Sequence, residues 1–469
     1  MANVAASLQS IKTPVGGATA AILACAQDLK WDSLPSDVQH ATKRHLLDTI
    51  GVMIAGAGGS VASRAEAVLS SLRPSGGIAV PGRERRADLL DAAFLGGTAA
   101  HGIELDDGYR QGSVHPGSVV IPAVLAVSQQ MHADGKALLA SVVAGYETAI
   151  ALARACHPEL RRRGFHPTPV VGVFGAAIAV GLLRGLTHDK LGNALGIAAS
   201  SSGGLFAFVN GGADIKRLHA GHASREGLQA ALLAEAGVEG PPDIVEARDG
   251  FAQAFVFGES GLARPVELPP VSGFGITDCY VKPYPCCRHI QPAIEALIAL
   301  LEAEHIAPDE IERIDVETYR IAAEHAHTGW DDFASAQLSF PYLIGLALKF
   351  RAIDLAHFEL AVRGDPAFGD VARRLHVSAP PEIDSLYPRL RPARVTVTTR
   401  RGTFTRRADE ALGSREVPFG DAQLMSKFRK LVGPILGGTR ANFVLEALWT
   451  IDQCDDVTPM VALTAKASA

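Results

Sequence analysis

Two histidines in this sequence are each followed by a proline, two further residues and a pair of valines. The first copy runs over residues 115–120 and the second over residues 166–171, and each opens a long apolar run. Proline is favoured in the first turn of a helix, where its missing N–H costs no hydrogen bond. We therefore expect His115 and His166 at the entrances of buried helices, where partial positive charge attracts carboxylates and disfavours an imidazolium. Such a pair suits proton transfer on a carboxylate substrate, and the alternative is a structural role at two core helix ends.

Acidic residues precede the first of these histidines by a short loop. His101, Glu104, Asp106 and Asp107 all fall within residues 101–107. These residue types can bind a metal ion, but their spacing matches no dedicated metal-binding motif, so no metal site is predicted. A competing interpretation is that the acids orient His115 and nearby cationic groups and fix the tautomer of the imidazole. A third is an acidic helix end that faces water.

A basic cluster occupies residues 214–223, after a glycine-rich turn and before an apolar helix. Lys216, Arg217, His219 and His222 fall there within about two helical turns. These side chains could bind the carboxylates of a substrate. The alternative is a basic turn that faces water.

A second basic segment, residues 280–289, stands near an expected domain junction. Two prolines stiffen it and limit the directions of Lys282, Arg288 and His289. Arginine favours bidentate contact with a carboxylate, and substrate clefts commonly lie between domains. The alternative is that this segment is only a linker.

The composition argues against several functional classes. The chain has 469 residues, a net charge of −6 and no basic tail, so a nucleic acid partner is not expected. The motifs of nucleotide-binding loops and of serine hydrolases are absent. Six cysteines form no CxxC pair, which indicates a reduced, cytoplasmic setting. The longest stretch without polar side chains, residues 170–183, is too short to cross a membrane.

The elements that must position these residues are mostly helical. Apolar residues recur with a helical period from residue 18 to about residue 258. A proline- and glycine-rich stretch at 265–275 is interpreted as a linker. Strand and hairpin patterns follow at 311–318 and 393–406, interleaved with helices at 289–303 and 337–348. From about residue 417 the pattern is helical again.

The sequence therefore predicts a mainly α fold. A large helical domain would be built from residues 1–268 and 414–469, and a smaller α+β domain would be inserted at 269–413.

The ordered set of these motifs resembles the MmgE/PrpD family, which includes 2-methylcitrate dehydratase, cis-aconitate decarboxylase and iminodisuccinate epimerase. The stretches that carry the resemblance are residues 46–52, 101–122, 164–168, 216–221, 282–289 and 339–342. The resemblance implies an all-helical domain with an inserted α+β lid, a homodimer, and chemistry without an organic cofactor or an obligatory metal. It also implies a pocket between the domains.

Carried over by motif, the resemblance assigns residues to that pocket. His115, His166, Lys216 and Lys282 would line it with Asp106 and Asp107 nearby, and Arg288 would anchor a substrate carboxylate. The further residues expected to contact substrate are His101, Glu104, Arg110, His219 and His289. The chain departs from the usual family pattern at Glu104, at Gly108 and in the loop that carries Arg110.

The resulting hypothesis is a lyase that dehydrates a small hydroxylated di- or tricarboxylate, similar to 2-methylcitrate. His115 would move the proton next to a carboxylate, and His166 or an acid of the Asp106/Asp107 pair would assist departure of hydroxide. Lys216, Lys282 and Arg288 would stabilise the developing negative charge. The same residues could serve a decarboxylase of a cis-aconitate-like substrate or an epimerase of an iminodisuccinate-like one. A non-catalytic carboxylate-binding protein and a metal-dependent hydrolase are the alternatives of other classes.

Overall fold

The computed structural model describes residues 17–27, 29–72, 76–210, 214–258, 266, 268 and 273–467. The chain packs as two units. The first consists of Met1–Gly102, Asp106–Tyr280 and Asp421–Ala469, and the second of Ile103–Leu105 and Val281–Gly420. Most of the expected linker at 265–275, and the expected boundary residue 269, lie outside the described residues. The second unit extends to residue 420, seven residues beyond the end that the sequence indicated, because residues 414–420 are not yet helical.

The first unit begins with ten helices, α1 to α10. Their bounds are Gly17–Gln27, Ser36–Ala57, Ser60–Leu72, Leu89–His101, Gly117–Met131, Gly135–Cys156, Glu159–Arg162, Pro167–Leu183, His188–Ser200 and Ile215–Glu235. Helix α8 lies in the centre of the packing, with every residue except Leu182 buried. It packs against α6 and α10, and α10 also packs against α4.

Small residues allow the close approach of α6 and α8. A Cβ atom on Gly145 would lie 2.8 Å from the carbonyl oxygen of Gly175, and one on Gly175 would lie 2.6 Å from that of Gly145. Interiors are close-packed, so neither position can accept a side chain without moving a helix. Helix α6 is also long and apolar enough to cross a membrane by composition, but 78% of that stretch is buried inside the protein. A buried core helix gives the same signal.

The second unit contains helices α11 to α17 and a four-stranded sheet. The helices are Gln291–Ala303, Arg320–Ala323, Phe333–Ala336, Phe340–Phe350, Leu360–Arg363, Ala367–Arg374 and Pro381–Asp384. The strands β1 to β4 are Ile311–Thr318, Leu375–Ser378, Ala393–Thr399 and Gly402–Ala408. Their order in the sheet is β2-β1-β3-β4, with β1 and β2 parallel and the other pairs antiparallel. Helix α11 packs against β3 and β4, and α14 packs against α11. Buried residues of the sheet and of both helices belong to one hydrophobic core.

The chain returns to the first unit through α18, α19 and α20, which are Asp421–Leu436, Gly438–Trp449 and Thr458–Ala462. Helix α18 packs against α2. A buried ion pair joins these helices, since Lys427 Nζ lies 2.6 Å from Asp48 Oδ1.

The prediction of a mainly α fold is confirmed, because the described residues are mainly helical and contain one small sheet. Strand β1 and the hairpin of β3 and β4 lie where the sequence indicated. The sequence missed β2, which has only four residues with no buried member. It also placed the start of α10 too late: the helix begins at Ile215, so the basic cluster forms its first turns.

Candidate active site

Four imidazole rings lie together in the first unit. His101 ends α4, His115 stands two residues before α5, His166 is the N-cap of α8, and His219 lies in the second turn of α10. The ring centroid of His101 is 5.1 Å from that of His115 and 5.6 Å from that of His166, and the His166 and His219 centroids are 5.2 Å apart. The two expected helix-entrance histidines are therefore joined by two others.

Asp106 connects two of these rings. Its Oδ2 atom lies 2.6 Å from His101 Nδ1 and 3.4 Å from His115 Nδ1, and the residue is fully buried. His115 Nδ1 also donates a hydrogen bond to the backbone carbonyl oxygen of Asp107 at 2.6 Å. A carbonyl can only accept, so Nδ1 carries the proton and Nε2 of the neutral ring is the atom that can take another one. This arrangement gives His115 a defined tautomer and a carboxylate that stabilises its protonated form.

Asp107 has a different set of partners from its neighbour. Its Oδ1 accepts the backbone N–H of Gly117 at 3.1 Å, at the first residue of α5. Its Oδ2 accepts the Tyr146 hydroxyl at 2.7 Å and lies 3.2 Å from His45 Nδ1. The sequence indicated that the positive end of this helix attracts carboxylates. In α5 a carboxylate of the protein itself, that of Asp107, occupies this position.

Three of the four histidines are held neutral. Burial lowers the pKa of His101 to about 4, although Asp106 acts in the opposite direction. Burial likewise lowers the pKa of His219 to about 4 and that of His166 well below its usual value. The Nδ1 atoms of His166 and His219 are 3.0 Å apart, as one N–H donor and one acceptor require. The main cause of neutrality is thus loss of water around the rings rather than the helix dipole that the sequence suggested.

A cation and two aromatic rings border the cluster. Lys216 Nζ lies 5.9 Å from the centroid of the Phe208 ring, and its charge contributes to the lowered pKa of His101 and His219. The rings of Phe206 and Phe208 both meet His166 edge-on. Arg217, by contrast, donates to the backbone carbonyl of Gly102 at 3.0 Å, which ties α10 to the end of α4.

The loop that precedes His115 is closed by a backbone bridge. The N–H of Tyr109 donates to the carbonyl of Val114 at 2.8 Å, and the N–H of Val114 donates back at 3.4 Å. Between them a short helical turn, Arg110–Gly112, carries the half-buried Arg110.

The remaining predicted site residues belong to the second unit. Lys282 is buried, and its Nζ donates to the backbone carbonyl of Glu104 at 3.1 Å and lies 3.5 Å from Glu104 Oε2. Glu104 has a left-handed backbone conformation with φ of 56°. Its backbone carbonyl oxygen and its carboxylate both face this lysine. These two residues therefore form one buried pair within the unit.

Arg288 and His289 form hydrogen bonds within the second unit. The Arg288 guanidinium donates to Gln291 Oε1, to the carbonyl of Leu412 and to the carbonyl of Ala411, at 2.7, 2.7 and 2.9 Å. His289 Nδ1 lies 2.6 Å from the Tyr319 hydroxyl. These contacts hold parts of the second unit together. A guanidinium has five N–H donors and an imidazole has two nitrogens, so the contact of both residues with substrate stays a prediction.

Comparison with known proteins identifies the family. The MmgE/PrpD N-terminal domain matches residues 20–261, and the MmgE/PrpD C-terminal domain matches residues 284–451. The chain belongs to the MmgE/PrpD family. This confirms the resemblance drawn from the sequence motifs.

Three curated relatives of this MmgE/PrpD chain carry the same name. The cis-aconitate decarboxylase of Aspergillus terreus (strain NIH 2624 / FGSC A1156) is 28% identical over an alignment of 473 residues that covers 95% of this chain and 96% of that protein. Those of Mus musculus and Homo sapiens are both 26% identical, over alignments of 463 and 458 residues. Each alignment covers 93% of this chain, and they cover 91% and 92% of those proteins.

Two groups among the described residues of this MmgE/PrpD protein have donor atoms close enough for a metal ion. They are His101, Asp106 and His115, and His45, Asp107 and Cys279. In the first group the 2.6 Å separation of His101 Nδ1 and Asp106 Oδ2 is that of a direct hydrogen bond. Two ligands of one tetrahedral zinc ion would stand about 3.3 Å apart, from bond lengths of about 2.0–2.1 Å. The first group is therefore arranged for proton sharing.

Several residues at this MmgE/PrpD site were missed by sequence reasoning. His45 and Tyr146 contact Asp107. Phe206 and Phe208 border His166, and the ring of Tyr280 meets His115 edge-on. The aromatic residues at 206 and 208 follow two glycines, and this local pattern could have indicated them. The others carry no local signal, because they come from distant parts of the chain.

Proposed function

We propose that this protein is a cofactor-independent lyase that breaks a bond at the carbon next to a carboxylate of a small di- or tricarboxylate. The observation that carries the proposal is the fixed tautomer of His115, whose Nδ1 is bonded to the Asp107 carbonyl beside Asp106. An imidazole held in this way exchanges a proton at Nε2 only, and a carboxylate 3.4 Å from Nδ1 favours the imidazolium that forms.

We propose decarboxylation of a cis-aconitate-like substrate as the first reaction to test. Loss of carbon dioxide leaves an electron pair on carbon, and a proton must then be added there. The His115 imidazolium supplies that proton from Nε2, while Lys216 stabilises the negative charge of the substrate. The names of the curated relatives, which align over most of both chains, support this choice.

Dehydration of a hydroxylated tricarboxylate, similar to 2-methylcitrate, is the second candidate. Elimination of water needs a base for the proton at carbon and an acid for the departing hydroxide. The described site offers two separate imidazole groups for these tasks, His115 beside Asp106 and His166 beside His219. Decarboxylation requires only one proton donor, so this second pair is the specific observation in favour of dehydration.

The experiment is proton NMR of the purified protein with cis-aconitate, 2-methylcitrate, citrate and iminodisuccinate in deuterated buffer. Release of carbon dioxide with one deuterium in the product would establish a decarboxylase. Vinyl signals that replace a hydroxylated substrate would establish a dehydratase, and deuterium exchange alone an epimerase. No change in any of the four substrates, including no exchange of hydrogen for deuterium, would contradict the proposal.

A variant connects the activity to the site. His115→Gln should lower turnover at least about 10²-fold, as loss of general acid–base catalysis does. His132→Gln is the matched control, because His132 also pairs with an aspartate, at 2.9 Å from Asp456, but on the surface. Equal activity of both variants would remove His115 from the reaction.

A further inference from the structure

The segment that ends in Tyr280 packs directly against the backbone beside His115. The N–H of Tyr280 donates to the carbonyl of Gly108 at 2.8 Å, and the N–H of Gly108 donates back at 3.2 Å. The two residues thus form an antiparallel bridge. Gly108 directly follows Asp107, whose carbonyl fixes the His115 tautomer.

Gly108 leaves the space that the Tyr280 side chain occupies. A Cβ atom at position 108 would overlap the Tyr280 hydroxyl oxygen, would lie 2.5 Å from Cζ and would lie 3.1 Å from Cε1. Real Cβ atoms do not approach other heavy atoms so closely, so any other residue would displace the ring. Gly108 has no left-handed backbone in this structure, which means that glycine is required here for the close approach and not for its φ angle.

The Tyr280 ring then bounds His115. The two ring planes are at 89°, with centroids 6.5 Å apart, in the edge-to-face arrangement that aromatic rings prefer. Tyr280 is itself only 7% exposed. The imidazole is therefore restrained by the Asp107 carbonyl at Nδ1 and by the Tyr280 ring at its side.

The carboxylate of the half-buried Glu147 holds the segment in register. Glu147 Oε2 accepts the N–H of Gly275 and Oε1 accepts the N–H of Ile276, both at 2.9 Å, at the start of the helical turn Gly275–Asp278. Ile276 is fully buried. Tyr280 follows this turn by two residues, so its position is fixed on both sides.

We infer that Tyr280 is a positioning residue for His115, and that Gly108 and Tyr280 act as a matched pair in which the glycine admits the ring. This rests on the proposed proton transfer by His115. It assigns to Gly108 a role in fixing the orientation of the proton-transferring ring.

The test compares Gly108→Ala, Tyr280→Ala and the double variant, with Gly58→Ala as the control. Gly58 is also a non-strained glycine, but a Cβ there would meet no atom within 4 Å. The first readout is NMR titration of histidines labelled with ¹⁵N, with His115 assigned from His115→Gln. The second is the split between kcat and KM on the substrate that the proton NMR experiment identifies.

Gly108→Ala should lower kcat about 10²-fold with little change in KM, as a displaced catalytic group does. It should also change the pKa of His115 and its Nδ1 tautomer signal. When Tyr280 is already replaced by alanine, Gly108→Ala should change kcat by less than about twofold, because the effects of substitutions at two residues in contact are not additive. Tyr280→Phe should keep the His115 signals of the unaltered protein.

Two results would overturn the inference. One is that Gly108→Ala behaves like Gly58→Ala, and the other is that its effect is equal in both backgrounds. If Gly108→Ala fails to fold, the double variant must fold, because removal of the ring relieves the overlap. The NMR readout needs no turnover, so it decides the pairing even if the proposed lyase activity is not found.

Discussion

Replacement of Asp106 by asparagine tests the electrostatic core of the proposed site. Asp106→Asn keeps the size of the side chain and removes its negative charge. Asp106 Oδ2 stands 2.6 Å from His101 Nδ1 and 3.4 Å from His115 Nδ1, and the side chain is 1% exposed. Water cannot compensate for the lost charge at this buried position, so the substitution should destabilise the protonated form of His115.

The magnitude follows from Coulomb's law. Two unit charges about 4 Å apart at an effective dielectric constant of about 20 interact by about 4 kcal/mol. If turnover requires the imidazolium of His115, as the proton donor in decarboxylation or as the product of proton abstraction in dehydration, this loss corresponds to about 10³-fold in kcat. The pKa of His101, already lowered to about 4 by burial, should fall further because Asp106 acts to raise it.

The assay is kcat on cis-aconitate, or on the substrate found in its place, together with the NMR titration of His101. Asp456→Asn is the control, since it removes the charge from the exposed pair with His132 and should leave kcat unchanged. Thermal unfolding verifies that both variants are folded. A folded Asp106→Asn variant with less than about tenfold loss would refute the reasoning, because the ion pair would then contribute less than about 1.4 kcal/mol.

Further predictions concern stability and metal dependence. Burial raises the pKa of Glu147 and of Glu295 to about 7, so each carboxyl stabilises the fold as the pH falls from about 7 to 4.5, by up to about 3 kcal/mol. The buried histidines act in the opposite direction, because their lowered pKa values reduce the free energy of unfolding as the pH falls. The Glu147→Gln/Glu295→Gln variant should therefore lose stability more steeply on acidification, as measured by denaturant titrations at several pH values. Curves of stability against pH that run parallel for the variant and the unaltered protein would contradict this. Lys427→Met leaves Asp48 buried without its partner at 2.6 Å and should cost about 3–5 kcal/mol in the free energy of unfolding, whereas adding Asp48→Asn should recover most of the loss. Dialysis against a chelator should leave turnover unchanged, since His101 and Asp106 share a hydrogen bond; loss of activity that zinc restores would argue for a metal.

The sequence predicted those parts of the site that depend on local rules. Proline after His115 and His166 indicated helix starts, and both helices begin there. The sequence could not distinguish the roles of Asp106 and Asp107, because two adjacent aspartates have the same chemistry. In the folded chain the Asp106 carboxylate points toward the imidazoles and that of Asp107 toward the start of α5. Their different roles are a consequence of tertiary packing.

Long-range contacts are the part of the site that the sequence could not predict. Arg288 suggested a carboxylate anchor by residue type, and the structure adds hydrogen bonds from its guanidinium to backbone carbonyls more than 120 positions later in the chain. Gly108 was recognised as a departure from the family pattern, and its physical reason, the Tyr280 ring, lies 172 positions away. Neither contact leaves a periodic pattern that a reading of the sequence could detect.

The bridge of Tyr109 and Val114 has a consequence for how such a site can diversify. Because the ends of the loop are already joined by two backbone hydrogen bonds, residues 110, 111 and 113 can change in sequence, and the loop can lengthen there, without moving Asp107 or His115. Gly112 is the exception, because a Cβ atom there would overlap Ala153. A doubling of loop length costs only about 0.6 kcal/mol of closure entropy. The loop with Arg110 is thus a replaceable module, on which evolution or a designed library can alter recognition while the proton-transfer residues keep their places.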